Sequence, residues 1–365
     1  MKRRAFLGIG GVLAAASAFG GWTLTHRGGT GPLLLSARDG SDGRHYAVGY
    51  RLDGSQAFAT PVTERCHDVY AHPALPLAVF VGRRPSRESY LVDTRDGTLL
   101  QTIDSPPDRH FYGHGIFDAR GEWFYTTEND TSEPGRGVLG VYRVDGRQLV
   151  RTGEHSTHGV GPHQLLWMPD GETFVIANGG IRTEADSREK MNLDAMEPSL
   201  VLLKRDGTLV SKEQLPEQMN SVRHLAVARD GTVVSGQQYE GNPLDKAPLL
   251  AIKRPGQPYQ PFPLGEAQRQ MMNQYTASLA IHDDLRLLAV TAPRGNRVFM
   301  WDLDTAELRL DAPLPDCAGV GAVDEGFVVS SGQGRCRLYD CRSDRILASA
   351  LELPAGLWDN HLRLA

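Results

Sequence analysis

One unit of about 40 to 60 residues returns along this chain, and no other feature narrows the possible folds as much. Each copy reads as a polar loop, a small residue or a histidine, a short apolar strand, a tight turn, a second apolar strand, a variable loop and a hairpin. First strands begin at "CHDVYAHP", "GHGIFDARG", "GPHQLLWMPDG", "RHLAVARDG", "ASLAIHDD" and "GVGAVDEG". Second strands follow as "LAVFVG", "WFYTTE", "TFVIAN", "TVVSGQ", "LLAVTA" and "FVVSSG". Asp-Gly between runs of Val, Leu, Ile and aromatic residues is a strong hairpin signal. Four strands per unit at this period predict a β-propeller.

Six units are complete, and the two ends supply a seventh. "PLLLSARDGSDGRHYAVGYRLDGSQAFATP" near the N-terminus offers three strands without a first, and "LWDNHLRLA" at the C-terminus offers a single strand. Joined, they make one blade, close the ring and remove the sheet edges that would otherwise pair with other chains. The expectation is an all-β, seven-bladed β-propeller with four antiparallel strands per blade, its last blade closed by the N- and C-terminal segments. It should occupy residues 31–365 as one domain, after an export signal and short linker at 1–30. A chain of 365 residues is long for one domain, but large all-β folds reach such sizes.

"MKRRAFLGIGGVLAAASAFGGW" has a basic start (Lys2, Arg3, Arg4) and then an apolar stretch of small residues. Arg3-Arg4-Ala5-Phe6-Leu7 resembles a twin-arginine export signal, and Ala16-Ser17-Ala18 offers a cleavage site. An ordinary secretory signal or an uncleaved anchor would share much of this pattern. The predicted location is the periplasm. No later segment has the roughly 18 apolar residues of a membrane span, so none is expected in the mature chain. A net charge of -5 gives no basic field for nucleic acid. The cysteines (Cys66, Cys317, Cys336, Cys341) lack zinc-type spacing. An oxidising compartment permits disulfides, and Cys336 and Cys341 are near enough to pair across a turn, but free thiols fit equally.

Aligned by unit, His67, His114, His163, His224 and His361 each begin the innermost strand of a blade; Ser278 and Gly319 or Gly321 take the matching places in the fifth and sixth units. Innermost strands line a propeller's axis, so five imidazoles should face one central channel. The loops after the second strands share that rim. Three are long and polar, "ENDTSEPGRG", "NGGIRTEADSREKMNLDAMEPS" and "QQYEGNPLDKAP", and offer Glu128, Asp130, Asn178, Arg182, Glu184, Gln237 and Glu240. Connections into the second and third blades add His110, His155 and His158. A single such histidine is more often structural, capping a strand or holding channel water. Their recurrence points to a metal or an anionic ligand.

Imidazoles converging with carboxylates suit a transition metal ion such as iron, copper or zinc. The predicted inner set is His114, His163 and His224, with Glu128 as a carboxylate ligand or a hydrogen-bond partner for an imidazole. His67 and His361 complete the ring, and His110, His158, Asp130, Asn178, Arg182 and Gln237 form a supporting rim. His45, His72 and His282 read as surface or packing residues. No nucleophile elbow, phosphate loop or EF-hand spacing is present.

The twin-arginine start, "GHGIFDARGEWFYTTEND", "GPHQLLWMPDGETFVIANGGIRT" and the terminal "WDNH" resemble a family of bacterial periplasmic proteins of unknown function. Members are often encoded beside imelysin-type periplasmic proteins and a di-haem oxidoreductase in clusters linked to iron acquisition. The resemblance implies a seven-bladed propeller, a part in periplasmic iron handling and an imelysin-like or haem protein as partner. It supplies no catalytic residues. The leading expectation is therefore a metal-binding propeller rather than an enzyme. A non-catalytic docking scaffold is the alternative, and a metal-dependent, lactonase-like hydrolase using His, Glu128 and Asn178 is a weaker one.

Overall fold

The structure, a computed structural model, describes residues 32–183, 189–353 and 356–365. The expected export signal and Glu184 lie outside the described residues. Seven antiparallel sheets of four strands each make a seven-bladed β-propeller. Blades one to six follow the six repeats, with innermost strands Cys66–Ala71, Arg109–Phe117, Pro162–Trp167, Asn220–Val227, Ser278–His282 and Cys317–Val323.

The seventh blade is built from both ends of the chain. Its innermost strand, Leu357–Leu364, pairs with Leu33–Asp39, which continues into His45–Arg51 and Gln56–Val62. Leu34 faces Leu364 across this seam, and Leu33 and Ala365 exchange backbone hydrogen bonds of 2.8 and 2.9 Å. Ring closure thus rests on a paired seam, which leaves no inner-strand edge open there.

The period-two pattern explains the core. Alternate residues of each strand face the blade on either side, and one apolar cluster fills each gap between neighbouring blades. Between blades four and five, Phe262, Phe299 and Trp301 pack with Leu250, Leu288 and Val290. Between blades seven and one, Leu35 and Phe58 meet Val69, Phe80 and Tyr90. Burying each large apolar side chain contributes about 1.5–3 kcal/mol, so the blades are held mainly by these gaps. All four cysteines are buried and free, and the Cys336–Cys341 pairing left open by spacing is not formed. Among the described residues no helix is long and apolar enough to cross a membrane.

Candidate metal centre

The innermost strands do not run straight past the axis. Their pairing with the second strand slips between Cys66 and Asp68, Phe111 and Gly115, Pro162 and Gln164, and Val222 and His224. The terminal strand slips likewise, with Trp358 and Leu362 facing Arg38 and Ser36. Each slip falls at or beside a histidine. Such bulges leave residues unpaired and re-aim their side chains. In the fifth blade, Ser278–His282 pairs without a break and sends no imidazole inward. The sixth has a break but carries Gly319 there, where a Cβ would come within 2.5 Å of the Leu362 backbone nitrogen.

The five imidazoles meet. Neighbouring ring centroids lie 4.7 to 5.8 Å apart, His67, His114, His163, His224 and His361 all being included. Four of them, His67, His114, His224 and His361, are buried and each offers a ring nitrogen, all within 4.8 Å of one another. His163 joins through a 3.0 Å Nε2–Nε2 contact with His224, in which one ring must donate. Close packing requires Gly113, whose φ is +107° and whose absent side chain leaves room for the His67 ring, 2.5 Å from a Cβ placed there.

Hydroxyls hold the backbone beneath the rings. Thr127 donates to the carbonyls of His163 (3.0 Å) and His114 (3.3 Å), and Ser36 donates to that of His361 (2.6 Å). Two carboxylates orient rings directly. Asp359 binds His67 Nδ1 at 2.8 Å while taking Arg65 and Arg83 at 2.7 and 2.9 Å. Asp68 binds His114 Nδ1 at 3.0 Å while taking Arg363 at 2.7 Å and the Tyr70 hydroxyl at 2.8 Å. Each pair fixes the carboxylate-facing nitrogen and turns the other toward the cluster, the arrangement by which metal-binding imidazoles are commonly held.

Electrostatics keep four of these rings, His114, His163, His224 and His361, neutral. Burial pushes the His114 imidazole down to about 4, although Asp68 opposes the shift. Burial, then neighbouring imidazoles, lowers His163 and His224 well below the usual range. His361 is also lowered by burial against the pull of Asp68. Burial alone would raise the Asp68 carboxyl, but the Arg363 guanidinium with His361 and His114 holds it well below. Neutral imidazole is the form that binds metals. Three nitrogens, His114 Nε2, His224 Nδ1 and His361 Nε2, are buried without a hydrogen-bond partner. Such orphans cost free energy and need an explanation.

The other expected residues lie elsewhere. Glu128 is fully buried inside the second blade, bound to Thr126, Tyr142 and Arg151 at 2.7, 2.9 and 2.7 Å. It is therefore neither an inner ligand nor a partner for an imidazole. The strand Trp123–Asp130 extends through it and points it into the blade. Asp130 pairs with Arg109 and Arg136 at 2.9 and 2.8 Å. Asn178 bonds Thr157 and Ser199, and Gln237 bonds Ser235 and Tyr259, all within blades or at their joints. His158 contacts the Gly207 carbonyl, His110 is buried beside Tyr112, and Arg182 is exposed. His72 and His282 bond turn backbone, as packing residues do. Asp68 and Asp359 were not foreseen, although both stand within two residues of a ring histidine.

A cavity of 340 Å³ opens over the cluster and reaches His67, His163 and His224. Fold and site together define a seven-bladed propeller with a buried axial histidine cluster able to hold a metal ion. The chain belongs to the DUF1513 family, described as protein of unknown function, which matches residues 60–365. No curated protein matches in sequence. Among solved structures, hydrazine synthase of Kuenenia stuttgartiensis is similar, with a TM-score of 0.60 and 14% identity over 86% of this chain and 94% of that one. Saccharomyces cerevisiae Sqt1 is similar at a TM-score of 0.54 and 14% identity, over 80% and 87% of the two chains. At such identity the likeness extends to the fold alone.

Proposed function

We propose that this protein is a periplasmic transition-metal-binding propeller, accessory to iron acquisition, whose ion sits among His67, His114, His163, His224 and His361. The observation that carries the reading is the convergence of buried imidazole nitrogens from four separate blades to within 4.8 Å of one another. Imidazole sites favour iron, copper or zinc over magnesium or calcium. Metal–imidazole bonds of about 2.0–2.1 Å would draw the ring nitrogens inward from their present spread. The twin-arginine pattern supports export, and the sequence resemblance supports iron as the ion and an imelysin-like or haem protein as partner. A calcium-type hydrolytic centre has less support, because Glu128 and Asn178 are hydrogen-bonded away from the axis.

The test is titration of chelator-stripped protein with iron(II), copper(II) and zinc(II) by calorimetry. About one ion should bind per chain, and the double variant His114→Ala/His224→Ala should show no binding. Equal titration curves for parent and variant would remove the reading and favour a docking scaffold.

A further inference from the structure

The wall of the axial cavity is cationic. Arg83, Arg84, Lys190, Arg223 and Arg294 line it together with the histidines, and no carboxylate does so among the described residues. This contrasts with a chain whose net charge is -5. Arg83 and Arg84 follow the second strand of the first blade, and Arg294 that of the fifth, so separate blades supply charges to one rim. Asp359 is shared by Arg65, Arg83 and His67, while Glu240 is shared by Lys190 and, at 3.7 Å, by Arg223. Arg223 is more than nine-tenths buried, and its Nε has no hydrogen-bond partner.

Focused positive charge above a metal cluster poses a contradiction. It repels a bare divalent cation from the channel that leads to the histidines. It attracts that same ion once the ion is wrapped in an anion. Guanidinium groups recognise carboxylate and phosphate oxygens in paired, planar contacts, and four arginines, two of them against aromatic faces, suit such a ligand. Arg84 lies over the Tyr112 ring and Arg294 over the Tyr275 ring, each about 5.1 Å from the centroid, which braces the two guanidiniums at the cavity wall.

We infer that the cavity over the histidine cluster binds a small, multiply charged oxyanion bearing carboxylate or phosphate oxygens, and that the ion is delivered as its complex with that anion. The anion site stands on its own residues; the delivery step rests on the metal-binding reading above.

The experiment is calorimetric titration of chelator-stripped and metal-loaded full-length protein with citrate and, separately, with inorganic phosphate, in low-salt buffer free of other multivalent anions. Binding of either probe is expected, and whichever is tighter identifies the source of the oxygens. Arg84→Gln/Arg294→Gln should weaken it at least tenfold while leaving the unfolding midpoint unchanged. Arg294→Gln alone, at an exposed side chain, provides a second variant that should also bind more weakly. No heat with either anion in either form of the protein, or equal affinity in parent and both variants, overturns the inference. Metal titration in the same buffer separates the two readings. Metal binding without anion binding sinks the oxyanion site alone, and anion binding without metal binding sinks the metal reading and its delivery step while sparing the site.

Discussion

Two buried polar networks lie within this propeller, and they are built on opposite principles. In the second blade, Glu128, Glu154 and Asp130 meet Arg109, Arg136 and Arg151, and every carboxylate oxygen there has a partner. At the axis, five imidazoles gather with only two carboxylates, and three of their nitrogens have none. Arg151 Nε is the one unpartnered atom of these six side chains, and with its carboxylates all bound such a network stabilises one conformation and has little left to offer a ligand. An open one stores unmet bonding capacity at a point, and a ligand is what meets it. Both networks contain residues that sequence reading singled out, and partnership rather than burial separates them.

The largest effect should come from opening the closed network. Glu128→Gln removes the buried anion of Arg151 and leaves it only the partly exposed Glu154, and should cost about 3 kcal/mol in denaturant unfolding. Metal affinity of the folded variant should be unchanged; a large loss would put Glu128 back at the site. Acid should act next, and on the axial cluster. The unfolded chain protonates His114 below its ordinary 6.5, whereas the folded chain refuses that proton until about 4. Stability is therefore complete above 6.5 and falls as pH drops, by up to about 1.4 kcal/mol per unit for this one ring. Unfolding curves at stepped pH check it, and a flat profile across that window contradicts the buried, neutral assignment.

A smaller change is expected from the carboxylate that orients His114. Asp68→Asn should weaken metal binding about 10- to 100-fold with one ion still bound at saturation. Smallest is the replacement of an orphan itself. His361→Leu removes an unpaired buried nitrogen and should raise metal-free stability by about 1 kcal/mol while impairing metal uptake. If the variant were instead less stable by as much as Glu128→Gln, the contrast between the two networks would be wrong.

Much of this was readable in the chain. Asp-Gly turns and period-two runs mark the blades, and alignment of the units puts His67, His114, His163, His224 and His361 at one level from the sequence alone. The residues around the ring were read less well. Glu128 and Gln237 were expected at the rim as the first residues of the polar loops after the second strands, but those strands, Trp123–Asp130 and Val233–Tyr239, run past them and turn both into the blade. Gln238, one position on, lines the cavity instead. Asp68 adjoins His67 yet serves His114, because the bulge at His67 shifts the alternation and the partner comes from the next blade. The cationic wall was invisible for the same reason: Arg84, Arg223 and Arg294 are unremarkable singly and become a field only when separate blades bring them together.

The strand Leu357–Leu364 closes the ring, and it also carries His361 and Asp359. Assembly of the propeller and readiness to take cargo are thereby the same event. A partly folded molecule, its last strand still undocked, has neither the fourth close imidazole nor the anchor for His67, and so would pass an ion by until its architecture is finished.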